Sequence, residues 1–177
     1  MARIHILGAS GSGTTTLGAA LAARLGVPHV GSDTLFWMPT DPPFTTRRTA
    51  EALHEMMLQQ LPIDGHWVFS GSAIRWATVL EPYYDLIVFL RIDPSVRMAR
   101  LRRREAARYG ARLLPGGDMA AASAAFIEWA ASYDTAGPEH RSLVGHSAWL
   151  ADLTTPVLRL DSEAPVDELV AAVLAQL

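Results

Sequence analysis

The sequence predicts a single α/β domain over residues 1–177, in which a five-stranded parallel β-sheet carries helices on both faces. Three observations predict it. Five short apolar runs alternate with segments of helical spacing, and strands joined through helices pair in parallel by crossover connections. The run at 86–92, LIVFLRI, is apolar almost throughout, as expected of a strand covered on both faces. The length of 177 residues is that of one domain, and neither flank of the Pro-rich stretch at 39–43 could bury a core alone.

Each element follows from its residues. The run RIHIL at 3–7 reads as the first strand, ended by Gly8. Residues 14–25 repeat leucine at Leu17, Leu21 and Leu25, the spacing of one helical face, and Gly26 suits the left-handed position that closes a helix. Residues 28–31 form a weaker second strand leading to Ser32 and Asp33. A helix is expected over 46–61, opened by Arg47 and Arg48, then a third strand at 67–69 and the fourth at 86–92. A helix over 95–108 is broken by the Leu-Leu-Pro-Gly-Gly-Asp sequence at 113–118. Another helix covers 119–133, a fifth strand 156–160, and the closing helix 166–177.

Composition excludes several function classes. The chain is 50% hydrophobic and 19% charged, and its longest strongly apolar run, at 86–90, is too short to span a bilayer, so no membrane partner is expected. The strand-like residues after Met1 leave no room for a secretion signal, and a cytoplasmic protein is expected. With no cysteine, disulfides, thiolate metal sites and cysteine nucleophiles are excluded. The six histidines show no metal-ligand spacing. All 15 basic residues are arginine, so Schiff-base chemistry is excluded, as is the Lys-containing element that gives GTPases their guanine specificity. Eight arginines between Arg91 and Arg112 face only Asp93 and Glu105, a local net charge of +6 on a chain of net −3. One cationic segment thus sits on an acidic body, which argues against an extended nucleic-acid footprint.

The segment Gly8-Ala9-Ser10-Gly11-Ser12-Gly13-Thr14-Thr15-Thr16 fits the pattern G-x-x-x-x-G-K-[ST] at every fixed position but one, since Thr14 stands where the lysine belongs. The chemistry of the pattern is carried by the backbone. Glycines let successive N–H groups point inward as an anion nest, and the following helix adds the positive end of its dipole. Thr15 is placed to offer its hydroxyl to Mg²⁺. The lysine of such loops stabilises charge during phosphoryl transfer, so in a lysine-free chain arginine must substitute or transfer is lost.

With this loop, GSDTLFW at 31–37, WVFSGSAIR at 67–75, VFLRIDPSVRMARLRRRE at 88–105 and LRLDSEAPVDELV at 158–170, the chain resembles the small P-loop kinases. That group includes adenylate, cytidylate, shikimate and gluconate kinases and the bacterial topology-modulation proteins. The first and fourth segments are the specific ones. The resemblance implies a three-layer P-loop kinase fold with a short lid at about residues 108–118, ATP and Mg²⁺ as cofactors, and phosphoryl transfer to a small-molecule acceptor. A nucleoside monophosphate leads, with a sugar acid behind it, and a nucleotide-binding regulator that has lost transfer is the rival. Some archaeal-type cytidylate kinases also carry threonine at the lysine position.

The resemblance assigns further residues. Asp33, after the second strand, would orient an acceptor hydroxyl or hold a metal-bound water; it also suits a helix cap. Trp37 and Phe36 are candidates for an acceptor wall. Arg75 would bind the acceptor's anion, whereas Ser70 departs from the acidic residue of the nucleoside monophosphate kinases. Arg97, Arg100, Arg104 and Arg108 fall three or four residues apart on one helical face. Arg100 is a candidate for nucleotide binding, Arg104 and Arg108 for catalysis, and Arg112 for the lid. Glu128, Trp129, Tyr133 and Asp134 suggest no chemistry.

Overall fold

The computed structural model describes residues 2–177 and has the predicted class, α/β with five parallel strands; Met1 lies outside the described residues. The chain forms two compact units. The first comprises the chain as far as Gly8, then Gly13–Arg91 and Thr154–Leu177; the second comprises Ala9–Ser12 and Ile92–Leu153.

The first unit holds the sheet, with strands β1 (Arg3–Gly8), β2 (His29–Gly31), β3 (Trp67–Ser70), β4 (Leu86–Arg91) and β5 (Val157–Asp161) in the order β2-β3-β1-β4-β5. All neighbours are parallel, with Ile6 opposite Ser70 on one side and Val88 on the other. Side-chain alternation along β1 divides the core. Ile4 and Ile6 join Val68, Val88 and Leu90 against Leu17 and Leu21 of α1 (Thr14–Leu25) and Leu169, Val170 and Val173 of α7 (Val166–Leu174). His5 points to the opposite face, where its ring stacks between Phe69 at 5.0 Å and Tyr84 at 4.9 Å. Full burial pushes His5 down to about 4, so this side chain is neutral in the core. At the rim, the Arg3 guanidinium meets the Asp85 carboxylate at 2.9 Å and holds it below its ordinary value.

This unit also holds α2 (Ser32–Phe36), which the sequence pattern does not reveal, α3 (Ala50–Gln60) and a 3-10 turn at Thr78–Tyr83. The expectation of a helix from residue 46 is corrected. Thr49 caps α3 by accepting from Ala52 N–H, and the chain before it runs back along α2's exit, with Arg47 bridged antiparallel to Trp37. Arg47 and Arg48 therefore precede the helix instead of opening it. The closing helix also stops early, at Leu174.

The second unit is helical. In α4 (Pro94–Tyr109) Asp93 caps the first turn, accepting from Ser95 N–H at 2.8 Å, and proline occupies the position where its missing N–H does no harm. Leu101 and Met98 of α4 pack on Ala130, Phe126 and Ile127 of α5 (Ala120–Ala131). A further helix, α6 (Leu143–Asp152), is capped by Ser142 accepting from Gly145 N–H. No helix among the described residues is long and apolar enough to cross a membrane.

Candidate phosphate-binding site

The loop between β1 and α1 owes its shape to glycine. Gly13 is left-handed at φ 87°, with no atom within 4 Å of where a Cβ would stand, so its constraint is purely conformational. Gly11 is left-handed too, at φ 86°, and is also pressed against α4: a Cβ there would lie 2.8 Å from Leu101 Cγ and 3.1 Å from the Arg97 carbonyl. Between them, Ser12 N–H donates to the Ala9 carbonyl at 3.1 Å.

Three features at this loop suit an anion. No side chain among the described residues caps α1, whose first backbone bond runs from Leu17 N–H to the Gly13 carbonyl, so the preceding N–H groups remain available. Its first turn, Thr14-Thr15-Thr16, carries no acidic residue to neutralise the helix dipole. The Ser12 hydroxyl, 1% exposed, has no hydrogen-bond partner among the described residues. A buried hydroxyl without a partner is penalised unless a ligand completes it, and polyphosphate oxygens would do so. Thr15 is exposed at the start of α1, and its hydroxyl is the kind of hard oxygen donor that Mg²⁺ takes.

In the same unit as α1, Gly18 brings the helix so close to β2 and β3 that a Cβ would collide with His29 and Ser70. There His29 Nε2 and Ser70 Oγ share a hydrogen bond of 2.8 Å, and burial lowers the basicity of His29. The position where the kinase pattern expects a carboxylate thus holds a hydroxyl engaged by a neighbouring imidazole. Asp33 is exposed in the first turn of α2, but the cap position is Gly31 and no side chain makes a cap bond there, so the capping role is corrected. Arg75 is exposed and held at φ 76°, a left-handed conformation that a long side chain adopts at a cost of about 1 to 3 kcal/mol.

Beside Asp33 in sequence, an aromatic series links the sheet to the segment before α3. Phe69 meets Trp76 at 6.1 Å, Trp76 meets Phe36 at 5.8 Å, Phe36 meets Trp37 at 5.1 Å, and Trp37 meets Phe44 at 6.3 Å. The Arg47 guanidinium lies over both Phe36 and Trp37, 5.5 and 5.7 Å from their centroids. The neighbouring Arg48 Nε is buried without a hydrogen-bond partner among the described residues.

In the second unit the arginines of α4 separate by burial. Arg97 is 1% exposed and points into the helical layer, so the stripe of Arg97, Arg100, Arg104 and Arg108 is divided at its first member. Arg100 is half-buried and Arg104 is exposed, with the Arg104 guanidinium over Phe126 at 5.7 Å. Arg108 lies 3.7 Å from Glu105, whose other oxygen accepts from Ser123 Oγ. Arg112 and Asp118 pair at 2.6 Å across the Pro-Gly-Gly break, within the segment 108–118 expected as a lid. Tyr133 and Asp134, without an assigned role in the sequence, prove to be partners of His146 and Arg97. The arginine spacing was visible in the sequence; the inward turn of its first member was not.

No family profile matches the chain. It is 44% identical over 171 residues to "Uncharacterized protein YqaC" of Bacillus subtilis (strain 168), covering 97% of this chain and 94% of that protein. Among solved structures, shikimate kinase from Bacteroides thetaiotaomicron matches over 99% of both chains with a TM-score of 0.53 at 20% identity. A gluconokinase from Sinorhizobium meliloti 1021 matches over 98% of this chain and 90% of its own, with a TM-score of 0.54 at 18% identity. At these identities the two kinases speak for the fold. With a glycine loop between β1 and α1, this strand order and these relatives, the chain has the P-loop kinase fold and belongs to the family of Bacillus subtilis YqaC.

Proposed function

We propose that the protein is a phosphotransferase that binds ATP with Mg²⁺ and phosphorylates a small acceptor, with a nucleoside monophosphate as the leading acceptor. The observation that carries this reading is the loop itself: two left-handed glycines, an uncapped helix start and a buried hydroxyl awaiting a partner. Backbone N–H groups at the start of α1, Thr14–Thr16 among them, would receive the phosphates, and Thr15 would contribute an oxygen to Mg²⁺, which screens the phosphate charge when bound. Asp33 holds a metal-bound water beside a phosphate acceptor, or accepts a hydrogen bond from the hydroxyl where the acceptor is a hydroxy compound. Trp37 provides a ring face, and Arg75 receives the acceptor's anion. Arg47, exposed and with its Cζ 5.5 and 5.7 Å from the centroids of the Phe36 and Trp37 rings, supports an acceptor that combines a planar ring with negative charge. That combination favours a nucleoside monophosphate over a sugar acid.

Thr14 supports a second reading, a nucleotide-binding regulator without transfer. The two part over charge. A transferring enzyme without lysine needs guanidinium groups on the developing phosphoryl charge, and Arg100, Arg104 and Arg108 are the candidates.

The test is phosphoryl transfer from MgATP to a panel of nucleoside monophosphates and small hydroxy acids, run on the wild type, Arg104→Ala, Arg108→Ala and Thr14→Lys. Transfer to a nucleoside monophosphate is expected. Each alanine change should lower kcat by roughly 10² to 10³, the size of one lost charge-stabilising contact, while nucleotide still binds. Thr14→Lys should add little. A lysine variant that outperforms the wild type, with neutral alanine changes, would favour the lapsed regulator.

A further inference from the structure

Arg97 does something different from the arginines that follow it on α4. Its Nη2 donates to Asp134 Oδ2 at 2.7 Å and its Nη1 to the Ala130 carbonyl at 2.8 Å, so the guanidinium is anchored to the end of α5 by two short contacts. The Tyr133 ring lies 5.5 Å from its Cζ, and the Tyr133 hydroxyl is in turn hydrogen-bonded to His146 Nδ1 of α6 at 2.8 Å. From this anchored position Nη1 also reaches the Ser10 carbonyl, at 3.5 Å. That distance is the outer limit of a hydrogen bond, so the contact acts mainly as a charge against a peptide dipole.

The peptide it meets is the one that matters to the loop. In a trans peptide the C=O and the following N–H point in opposite directions. A cation that holds the Ser10 carbonyl toward α4 therefore turns the Gly11 N–H to the other side and fixes it there. The same turn of α4 also seats the loop sterically, since Gly11 packs against the Arg97 backbone and side chain and against Leu101 with no space for a Cβ. Two residues beyond Ser10, the Ser12 hydroxyl is buried without a partner among the described residues.

We infer that Arg97, held in place by Asp134, is a positioning residue for the phosphate loop: it orients the Ser10–Gly11 peptide and so sets affinity for polyphosphate without touching the nucleotide. The inference rests on the reading of the loop as a phosphate site. It makes Asp134, one side chain removed from the loop, a determinant of nucleotide binding. It also separates Arg97 from the arginines expected to act on the reaction itself.

The experiment measures the Kd of MgATP and of inorganic pyrophosphate by titration calorimetry, with thermal denaturation of every variant alongside. Asp134→Asn removes the charge that anchors the guanidinium, and Arg97→Lys keeps a charge but loses the fork. Asp134→Glu is the conservative rescue, and Arg102→Ala, an exposed arginine on the same helix, is the control. Asp134→Asn is expected to weaken both ligands about tenfold, equivalent to roughly 1.4 kcal/mol, with Arg97→Lys intermediate and Asp134→Glu near wild type. Binding of a nucleoside monophosphate alone should not change. If Asp134→Asn and Arg97→Lys bind MgATP as the wild type does, whatever their thermal stability, Arg97 is structural only and the inference falls. If Asp134→Glu weakens binding as much as Asp134→Asn, it falls as well. A wild type that binds neither ligand would instead overturn the phosphate-site reading itself.

Discussion

The two compact units bury a basic side chain by opposite means. In the sheet unit His5 is 0% exposed, stacked between two rings, and rids itself of charge. In the helical unit Arg97 is 1% exposed and keeps its charge, because guanidinium does not deprotonate in a protein. It is therefore met by a carboxylate, a carbonyl and an aromatic face. An imidazole can be accommodated neutral, here between two rings and with a hydrogen bond between Nδ1 and the Phe69 carbonyl at 3.2 Å, whereas an arginine requires a counter-charge as well. Where such an environment is built beside a functional loop, it becomes a means of controlling that loop.

Removing the built environment should have the largest effect. Asp134→Ala leaves Arg97 buried without its counter-charge, and such a loss destabilises by about 3 to 5 kcal/mol. Chemical denaturation of this variant should show it, and an unchanged midpoint would mean that the two units do not differ as described.

Acid should act on the other unit. Above pH 6.5 His5 is neutral in both folded and unfolded chains. As pH falls from there toward about 4 the unfolded chain takes up a proton that the folded core refuses, so stability declines across that window; below about 4 this residue contributes no further change. The whole loss is roughly 3 kcal/mol, since each tenfold drop in proton affinity is worth about 1.36 kcal/mol. His5→Phe should flatten the denaturation midpoint over the same pH range. A slope that persists in the variant would assign it to another group.

The smallest stability effect is expected where a basic side chain is not buried. Arg47 rests on Phe36 and Trp37 at the surface, and Arg47→Ala should change stability by no more than about 0.5 kcal/mol while raising the KM of a nucleoside monophosphate acceptor. If Arg47→Ala unfolds the protein as readily as Asp134→Ala, burial is not what distinguishes them.

Much of the fold was legible in the sequence because its signals are local. The five strands lie within a residue or two of the apolar runs, and at β1, β3 and β4 near-complete burial leaves little latitude in composition. The glycine loop was equally plain, because a left-handed backbone demands glycine at Gly11 and Gly13 wherever the chain goes next. The short helix α2 is not legible, because five residues carry too little periodicity. The start of α3 was misplaced because threonine and arginine at 46–49 fit a helix as well as they fit the bridge to Trp37.

By itself, then, the sequence determined the sheet, the loop, the absence of lysine and the clustering of arginine. Only the tertiary structure decided which arginine is buried and what it pairs with. Helical spacing places Arg97, Arg100, Arg104 and Arg108 on one stripe, but the first of them is met by the Ala130 carbonyl of α5 and by Asp134 just beyond that helix, both far along the chain. The same holds at Ser70, whose hydroxyl is engaged by His29 of the neighbouring strand. Backbone conformation and periodicity are written in adjacent residues and can be read from them. Burial and pairing of charge depend on which distant segment arrives, and packing alone settles that.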